Sequence, residues 1–499
     1  MDRSALARPK IGRGRLLRLG IDPTSPERRY RQIYGQLRRS ILDGALKPGS
    51  RLPSSRALAI DLGVSRATVI QAFEQLAAEG YIRGREGAAT YVSVLNHEPD
   101  RRPAAPTLAS GALPSRRGQA IANLSIEALQ GLGETPRAFA TGVPALDVFP
   151  TEVWGRLLSR RWRSCSPRHL GYGDPFGFRP LREAIAEYLR AARGVRCQAD
   201  QILICNGSQQ AIDLTLRVTL DPGDLAWLED PGYDGARNAL LGYGAHVVPV
   251  SVDADGFDVD QAMRMAPRAR LAYLTPARQV PLGMPLSLPR RLALLRWAAA
   301  HGSWIFEDDY DSEFRYASTP LSALQGLDDS GNVIYAGTFS KLMFPALRLA
   351  YVVVPPALHD AFHRARLISG YSSPYLEQAT MTDFLAEGHF ERHVRRMRVL
   401  YQSRQHLLLT LLRRQFSDLL DVLPADAGMS LTAWLPKRLN DKRVVQQAAK
   451  HDVTLVPVSA FSVRTRPPNG LVFGYGGVRE REIRDGVTRL AAAFRSMHA

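Results

Sequence analysis

Three short stretches of the sequence combine residue types that do chemistry. Gly337-Thr338-Phe339-Ser340-Lys341 sets a lysine among hydroxyl side chains, with Arg348 seven residues further on. Glu307-Asp308-Asp309-Tyr310-Asp311-Ser312-Glu313 gathers carboxylates around one tyrosine, and Asn206-Gly207-Ser208-Gln209-Gln210 is a run of small and amide residues. An amine kept partly deprotonated by neighbouring positive charge and by desolvation condenses with a carbonyl to a Schiff base. A small-residue turn that opens a helix presents free backbone N–H groups and a favourable dipole to a phosphate. Taken alone, the 206–210 stretch fits an ordinary packing turn equally well. The acidic stretch fits a solvated loop or a metal site as well, and no metal ligand is assigned in this chain.

The elements that must position these residues are read from the apolar runs. Gln201–Cys205, Leu225–Leu228, His246–Val250, Leu271–Leu274, Trp304–Phe306, Val333–Tyr335 and Leu349–Val354 alternate with helical patterns from Phe139 onward. Strands separated by helices predict an α/β domain with a mostly parallel sheet, whose ligands bind beyond the carboxyl ends of the strands. Each of the three stretches follows one of these runs. A strand-end lysine beside hydroxyls and an arginine suits a carbonyl cofactor that also carries a phosphate. Pyridoxal phosphate (PLP) requires that lysine, an acid beside its pyridine nitrogen, a phosphate cup and a ring-stacking group, and all four are available at strand ends.

The chain has 499 residues, more than one core can serve, so two or more domains are expected. No apolar stretch approaches the roughly 20 residues of a membrane helix. Cys165, Cys197 and Cys205 form no Cys-x-x-Cys pair, and Met1-Asp2-Arg3 leads into a basic segment without the apolar core of a signal peptide, so a reducing cytoplasm is expected. The formal charge is +17, from 65 Lys and Arg against 48 Asp and Glu. Of this excess, +9 falls on the first 92 residues, where a polyanionic partner is therefore sought.

Within that segment Tyr30, Ile33, Tyr34, Leu37 and Ile41 have helical spacing, and Gly44 supplies a stop. Pro53-Ser54-Ser55 caps a short helix that Gly63 ends, and Ser65 caps a third that Gly80 ends. In this third helix Val69, Ala72, Phe73 and Leu76 can face a core while Arg66, Thr68 and Gln71 face outward. Tyr81–Arg83, a turn at Gly84–Gly87 and Ala88–Val92 read as a hairpin. Three helices and a basic hairpin match a winged helix-turn-helix whose third helix enters a major groove. Arg66 can then bind guanine or phosphate, Thr68 and Gln71 can meet base edges or backbone, and Arg56, Arg83 and Arg85 can reach phosphates. A basic solvated face is the competing reading. From Ser93 to Thr135 the chain is rich in Ala, Pro, Gly and Ser, has no sustained period and reads as a linker, with Leu124–Leu132 apolar enough to dock.

The run YRQIYGQLRRSILDGALKPGSRLPSSRALAIDLGVSRATVIQAFEQLAAEGYI resembles the DNA-binding domain of GntR-family regulators. The segments GYGDPFGFRPLREAIAEYL, ICNGSQQAIDL, LEDPGYDGAR, FEDDYDSEFRY and GTFSKLMFPALRLAYVVVP resemble fold type I aminotransferases. Joined in this order they resemble the MocR subfamily of regulators. The resemblance implies a winged helix-turn-helix domain at 27–92, a linker at 93–135 and an aminotransferase-like domain at 136–499. It implies that Lys341 holds PLP as a Schiff base, Asp308 pairs with the pyridinium nitrogen, Tyr310 donates to the ring oxygen and Tyr233 stacks on the ring. Ser208, Gln209, Ser340 and Arg348 would bind the phosphate, with Thr338 a further candidate. It also implies a homodimer in a swapped arrangement.

Departures from the pattern narrow the function. The hairpin tip reads Gly87-Ala88-Ala89-Thr90, without the usual Gly-x-Gly. Thr275–Gly283 carries Ala277, Arg278 and Val280 where the subfamily tends to have Ser, His and an aromatic residue. Leu471 stands where aminotransferases place an arginine that clamps the substrate carboxylate, and Gly235 stands where some amino-acid-sensing relatives carry Arg. Arg237, Arg464 or Arg466 could substitute, or be merely solvated. The reading is a transcriptional regulator that binds operator DNA and senses PLP, or an amine or amino-acid-type ligand, through its large domain. An active aminotransferase with an accessory DNA-binding domain, and a scaffold that has lost its cofactor, are the alternatives.

Overall fold

The computed structural model describes residues 19–84, 89–94, 113–124, 138–316, 321–422, 425–464 and 468–497. The chain divides into two compact units, Met1–Leu113 and Pro114–Ala499.

The first unit is built on helices α1 (Arg29–Leu42), α2 (Ser55–Leu62) and α3 (Arg66–Ala78), and a hairpin of β1 (Ile82–Arg83) and β2 (Tyr91–Val92). The helix ends follow the capping residues. Ser54 Oγ accepts the Ala57 N–H and Ser65 Oγ accepts the Thr68 N–H, each at 3.2 Å. Gly63 and Gly80 take φ of 63° and 82°, a region costly for any residue with a Cβ. Ile33, Leu37, Ile41, Leu58, Val69, Ala72, Leu76, Ile82 and Val92 bury one shared core, with Phe73 half-buried against it. Each such aliphatic side chain contributes about 1.5–3 kcal/mol, more than the ~1 kcal/mol of a cap. Burial therefore holds the unit together, while the caps set its boundaries.

In the second unit all seven apolar runs are strands: β3 (Ile202–Cys205), β4 (Leu225–Asp230), β5 (His246–Asp253), β7 (Leu271–Leu274), β8 (Trp304–Asp309), β9 (Val333–Thr338) and β10 (Ala350–Val353). A two-residue strand, β6 (Gly256–Phe257), adds a short hairpin to β5. The order is β3-β10-β9-β8-β7-β4-β5-β6 among the described residues. The middle of the sheet, from β9 to β5, is parallel, and β10 is antiparallel to both its neighbours. Hence β3 runs in the same direction as β9, and both end at one edge. These strands are buried on both faces, as helices on either side require. A second sheet of β11 (Asp421–Val422), β12 (Ser430–Trp434), β13 (Val456–Pro457) and β14 (Gly470–Gly474) is antiparallel throughout.

The stretch read as a linker holds a further helix, α4 (Arg116–Ala122), capped by Ser115. It belongs to the second unit and lies on the helix Asp234–Tyr243. Arg117 Nε donates to the Gly242 carbonyl at 2.8 Å, and its guanidinium sits 4.9 Å from the centre of the Tyr243 ring. The apolar segment expected to dock, Leu124–Leu132, lies beyond α4 and, apart from Leu124, outside the described residues. No helix among the described residues is long and apolar enough to cross a membrane.

Candidate functional site

The carboxyl ends of β3, β8 and β9 bring the three chemical stretches to one edge of the large sheet. The acidic stretch is not a solvated loop. Its first three residues complete β8, and each carboxylate has its own buried partner. Glu307 accepts the N–H groups of Leu324 and Gln325, Asp309 pairs with Arg193 at 2.7 Å, and Glu313 accepts the Tyr188 hydroxyl at 2.6 Å. They diverge, and among the described residues no group of three His, Cys, Asp or Glu side chains is placed to hold a metal.

Asp308 is half satisfied, as are Asp309 and Asp311, whose Oδ1 atoms are likewise buried without a partner; what sets it apart is that its one bond is to a tyrosine hydroxyl rather than to an arginine. Oδ2 accepts the Tyr273 hydroxyl, whereas Oδ1 is buried without a partner. Burial pushes its carboxyl up to about 6, against the pull of the Tyr273 bond and of Lys341. The ring of Tyr273 is fixed by stacking on Phe306, centroids 5.5 Å apart at 14°. Tyr233, half-buried, lies beyond Tyr273 at 6.4 Å. A Cβ on Gly235 would overlap the Tyr233 ring, so an arginine at 235 would displace it.

Lys341 follows β9 in a tight turn and is half-buried. Its Nζ donates to the Gly142 carbonyl at 3.0 Å. Gly142 has φ 73°, and a Cβ there would come within 2.7 Å of Nζ. Burial lowers the pKa of Lys341; Asp311 and Asp308 resist that shift, and Arg348 adds to it. The amine is thus biased toward its neutral, nucleophilic form.

The candidate phosphate cup lies at the start of the helix Ser208–Thr219. Gly207, at φ 95°, precedes it, and a Cβ there would fall 2.7 Å from Arg348 Nη2. Arg348 is exposed, in the left-handed region at φ 50°, and donates to the Asn206 carbonyl at 2.8 Å. Ser340 Oγ is buried without a partner, and Thr338 Oγ1 accepts the Ser340 N–H at 3.2 Å. Ser208 is half-buried. Gln209 is exposed, and its side-chain amide donates to the Gly235 carbonyl at 3.0 Å.

Tyr310 continues from β8, and its hydroxyl oxygen accepts from Arg278 Nη1 at 2.7 Å. Burial pushes its pKa well up, against Arg278. The geometry fits PLP at four points: an orphan carboxylate oxygen on Asp308, an amine on Lys341, an orphan hydroxyl on Ser340, and a glycine-lined helix start beside Arg348.

The substitutes considered for a carboxylate clamp are engaged elsewhere. Arg464 donates to Asp230 Oδ2 at 3.0 Å and to Ser251 Oγ at 2.8 Å, and Arg237 to the Ala460 carbonyl at 3.2 Å. Arg466 lies outside the described residues. Leu471 is fully buried in β14.

Of the residues expected to meet DNA, Arg56, Arg66, Gln71 and Arg83 are exposed. Arg66 Nε reaches Ser55 Oγ at 3.4 Å, and the Thr68 hydroxyl lies against Ser65 Oγ at 2.8 Å, so Thr68 serves first in the cap. Arg85 and the Gly87-Ala88 tip lie outside the described residues.

Gly142, Tyr273 and Asp311 do not stand out in the sequence as site residues. Gly142 carries no side-chain signal, and Tyr273 reads as one more apolar strand residue. Arg278 stands out only as a departure.

Comparison with known proteins agrees with this division. The family of bacterial regulatory proteins, gntR family, matches residues 29–92, and aminotransferase class I and II matches residues 140–490. The chain is 41% identical to a probable rhizopine catabolism regulatory protein MocR of Rhizobium meliloti, over 94% of each chain. It is 30% identical to the pyridoxine biosynthesis transcriptional regulator PdxR of Corynebacterium glutamicum, over 94% of this chain and 96% of that one. Among solved structures it is similar to the α-aminoadipate aminotransferase LysN of Thermus thermophilus, complexed with N-(5'-phosphopyridoxyl)-L-leucine. There the TM-score is 0.70 at 30% identity, over 76% of this chain and 97% of that one.

Proposed function

The chain belongs to the MocR-type regulators of the GntR family, transcriptional regulators with an aminotransferase class I and II domain, and from that premise we propose that it is a PLP-dependent regulator acting in the cytoplasm. Residues 27–92 bind operator DNA, and residues 136–499 hold PLP and sense it alone or with an amine or amino-acid-type ligand. The observation that carries this reading is that Lys341, whose amine burial biases toward its neutral form, and the unspent Oδ1 of Asp308 stand at the same sheet edge.

What PLP supplies when bound is an electrophilic carbonyl carbon. Lys341 would supply the amine that holds that carbon. Asp308 Oδ1 would accept a hydrogen bond from the protonated ring nitrogen and so keep the ring cationic. Tyr310 donates its hydroxyl hydrogen to the ring oxygen, and Tyr233 covers the ring. Ser208, Ser340, the backbone at Gln209 and Arg348 offset the phosphate charge. Thr338 fixes the Ser340 turn.

A sensor is favoured over a working aminotransferase because Leu471 cannot bind a carboxylate and Arg464 is already held by Asp230 and Ser251. Turnover needs the substrate held, and binding alone does not. A homodimer fits the surface. Leu170, Tyr172 and Ile368 are 69%, 88% and 83% exposed, and Tyr172 packs against Tyr371. Exposed apolar side chains of this size suit a second copy of the chain, and paired half-sites on DNA suit it too. Titration of the apo protein with PLP, followed by operator binding, tests the reading. A change of affinity supports it; constant affinity with PLP and with a panel of amines overturns it. Rapid conversion of bound PLP to the pyridoxamine form by amino acids would favour the enzyme instead.

A further inference from the structure

Arg278 is 4% exposed, yet every edge of its guanidinium is matched. Nε donates to the Ala427 carbonyl at 3.0 Å. Nη1 donates to the Tyr310 oxygen at 2.7 Å and to Asp311 Oδ2 at 3.3 Å. Nη2 donates to the carbonyl and the hydroxyl of Ser430 at 2.7 and 3.3 Å. A Cβ on Gly428, at φ 88°, would overlap the guanidinium, so the chain opposite is shaped to admit it. A buried charge in such a socket is placed at considerable cost, and removing either partner leaves the other unsatisfied.

Guanidinium has only donors. In the Arg278–Tyr310 bond the tyrosine oxygen therefore accepts, and its own hydrogen must be given elsewhere. Among the described residues no acceptor in the chain takes it. Tyr310 is a donor held ready, and Arg278 is what prevents it from acting as an acceptor toward a ligand.

We infer that Arg278 is a positioning residue for the cofactor: it occupies the lone pair of Tyr310 and thereby commits the hydroxyl hydrogen to the anionic ring oxygen of PLP. This rests on the PLP site proposed above. The charged and titratable groups that act on this bond are Asp311 and Asp308, with Tyr475 and Tyr316 close to Arg278. With its five donors spent, Arg278 offers none to a ligand carboxylate, so its role is confined to Tyr310 and the ring oxygen.

The test follows the absorbance of PLP bound to the full-length protein as a function of pH. Arg278 and the Tyr310 hydrogen bond both favour a deprotonated, more negative cofactor, so their loss raises the pH at which the bound chromophore gives up its proton. In Arg278→Leu the midpoint is expected to rise by about one pH unit, the tenfold equilibrium change of a lost charge-assisted bond. Arg278→Lys, which keeps the charge and one donor nitrogen, is expected to return most of the way to the original midpoint. In a Tyr310→Phe background Arg278→Leu is expected to move the midpoint far less, since the bond it acts through is gone. An equal shift with and without Tyr310, or no shift in either Arg278 variant, overturns the inference. If the leucine variant does not fold, Arg278→Gln and Arg278→Lys carry the same comparison, with glutamine expected to shift the midpoint and lysine not. Absence of any PLP band in the unmodified protein would overturn the cofactor reading instead.

Discussion

The two units use the same residue type for opposite ends. In the first, Arg56, Arg66 and Arg83 are exposed, and among the described residues only Arg66 of the three has a bond, a long one to Ser55. In the second, Arg193, Arg278 and Arg366 are 1%, 4% and 0% exposed. Arg193 is paired with Asp309 inside the sheet edge, and Arg278 is saturated. An exposed arginine costs the fold little and keeps its donors for a phosphate that arrives later. A buried one is consumed by the fold and acts by fixing its neighbours. The net charge of the chain, +17, adds both kinds together and so hides the distinction.

If the distinction holds, the largest effects come from the buried site and are insensitive to salt. Lys341→Ala is expected to abolish covalently held PLP, read as complete loss of the visible or near-ultraviolet band, without change in the folding of the first unit. Asp308→Asn removes a charged acceptor worth about 1.5–3 kcal/mol, so affinity for PLP should fall about 10- to 100-fold by absorbance or fluorescence titration. In the unmodified protein the same oxygen should lose its charge as pH falls through about 6. Protonated Asp308 cannot pair with a cationic ring nitrogen, so PLP affinity should decline below that pH and level off above it.

The exposed arginines should give smaller effects, and these should depend on salt. Arg66→Ala is expected to cost about 1–3 kcal/mol of operator binding if it reads a base edge. Measured by fluorescence anisotropy, it should also relax sequence preference. Arg83→Ala should weaken all sequences alike and reduce the salt slope by about one, as loss of a single phosphate contact would. A variant of Arg66 that left operator binding unchanged at about 50 and 200 mM salt, a range over which phosphate contacts weaken steeply, would break the comparison. The smallest effect is expected from Arg117→Ala. Loss of a half-exposed cation–π contact and one hydrogen bond is worth about 1 kcal/mol, seen as faster amide exchange in residues 113–124 with PLP binding unaffected.

Much of the fold was legible in the sequence because it is locally encoded. Ser54, Ser65, Gly63 and Gly80 mark helix ends through bonds to residues three positions away, and the seven apolar runs need only burial to become strands. The second sheet was largely missed: β11 and β13 are two residues long and carry no period. The lysine, the acid and the phosphate arginine were legible from their residue types at strand ends. What surrounds them was not. The carbonyl that receives Lys341 belongs to a glycine 199 residues earlier, and Arg278 meets its sheet partner Ser430 across 152 residues. Nothing in the local spacing of either residue records such a meeting, and the departure at Arg278 became informative only once Tyr310 stood beside it.

Helix α4 has one more consequence. A helix of seven residues is well below the roughly 12–15 at which an isolated helix becomes even marginal in water. Its order is therefore borrowed from Gly242 and Tyr243, at the end of a helix whose first turn follows Tyr233. Such an element does not transmit displacement as a rod would; it responds by melting or annealing, and so changes how many residues of the chain are free. A local opening equilibrium of this kind is measured by hydrogen exchange as a protection factor. The protection of 113–124 is then a gauge of the state of the helix beneath it, read in the currency of chain entropy.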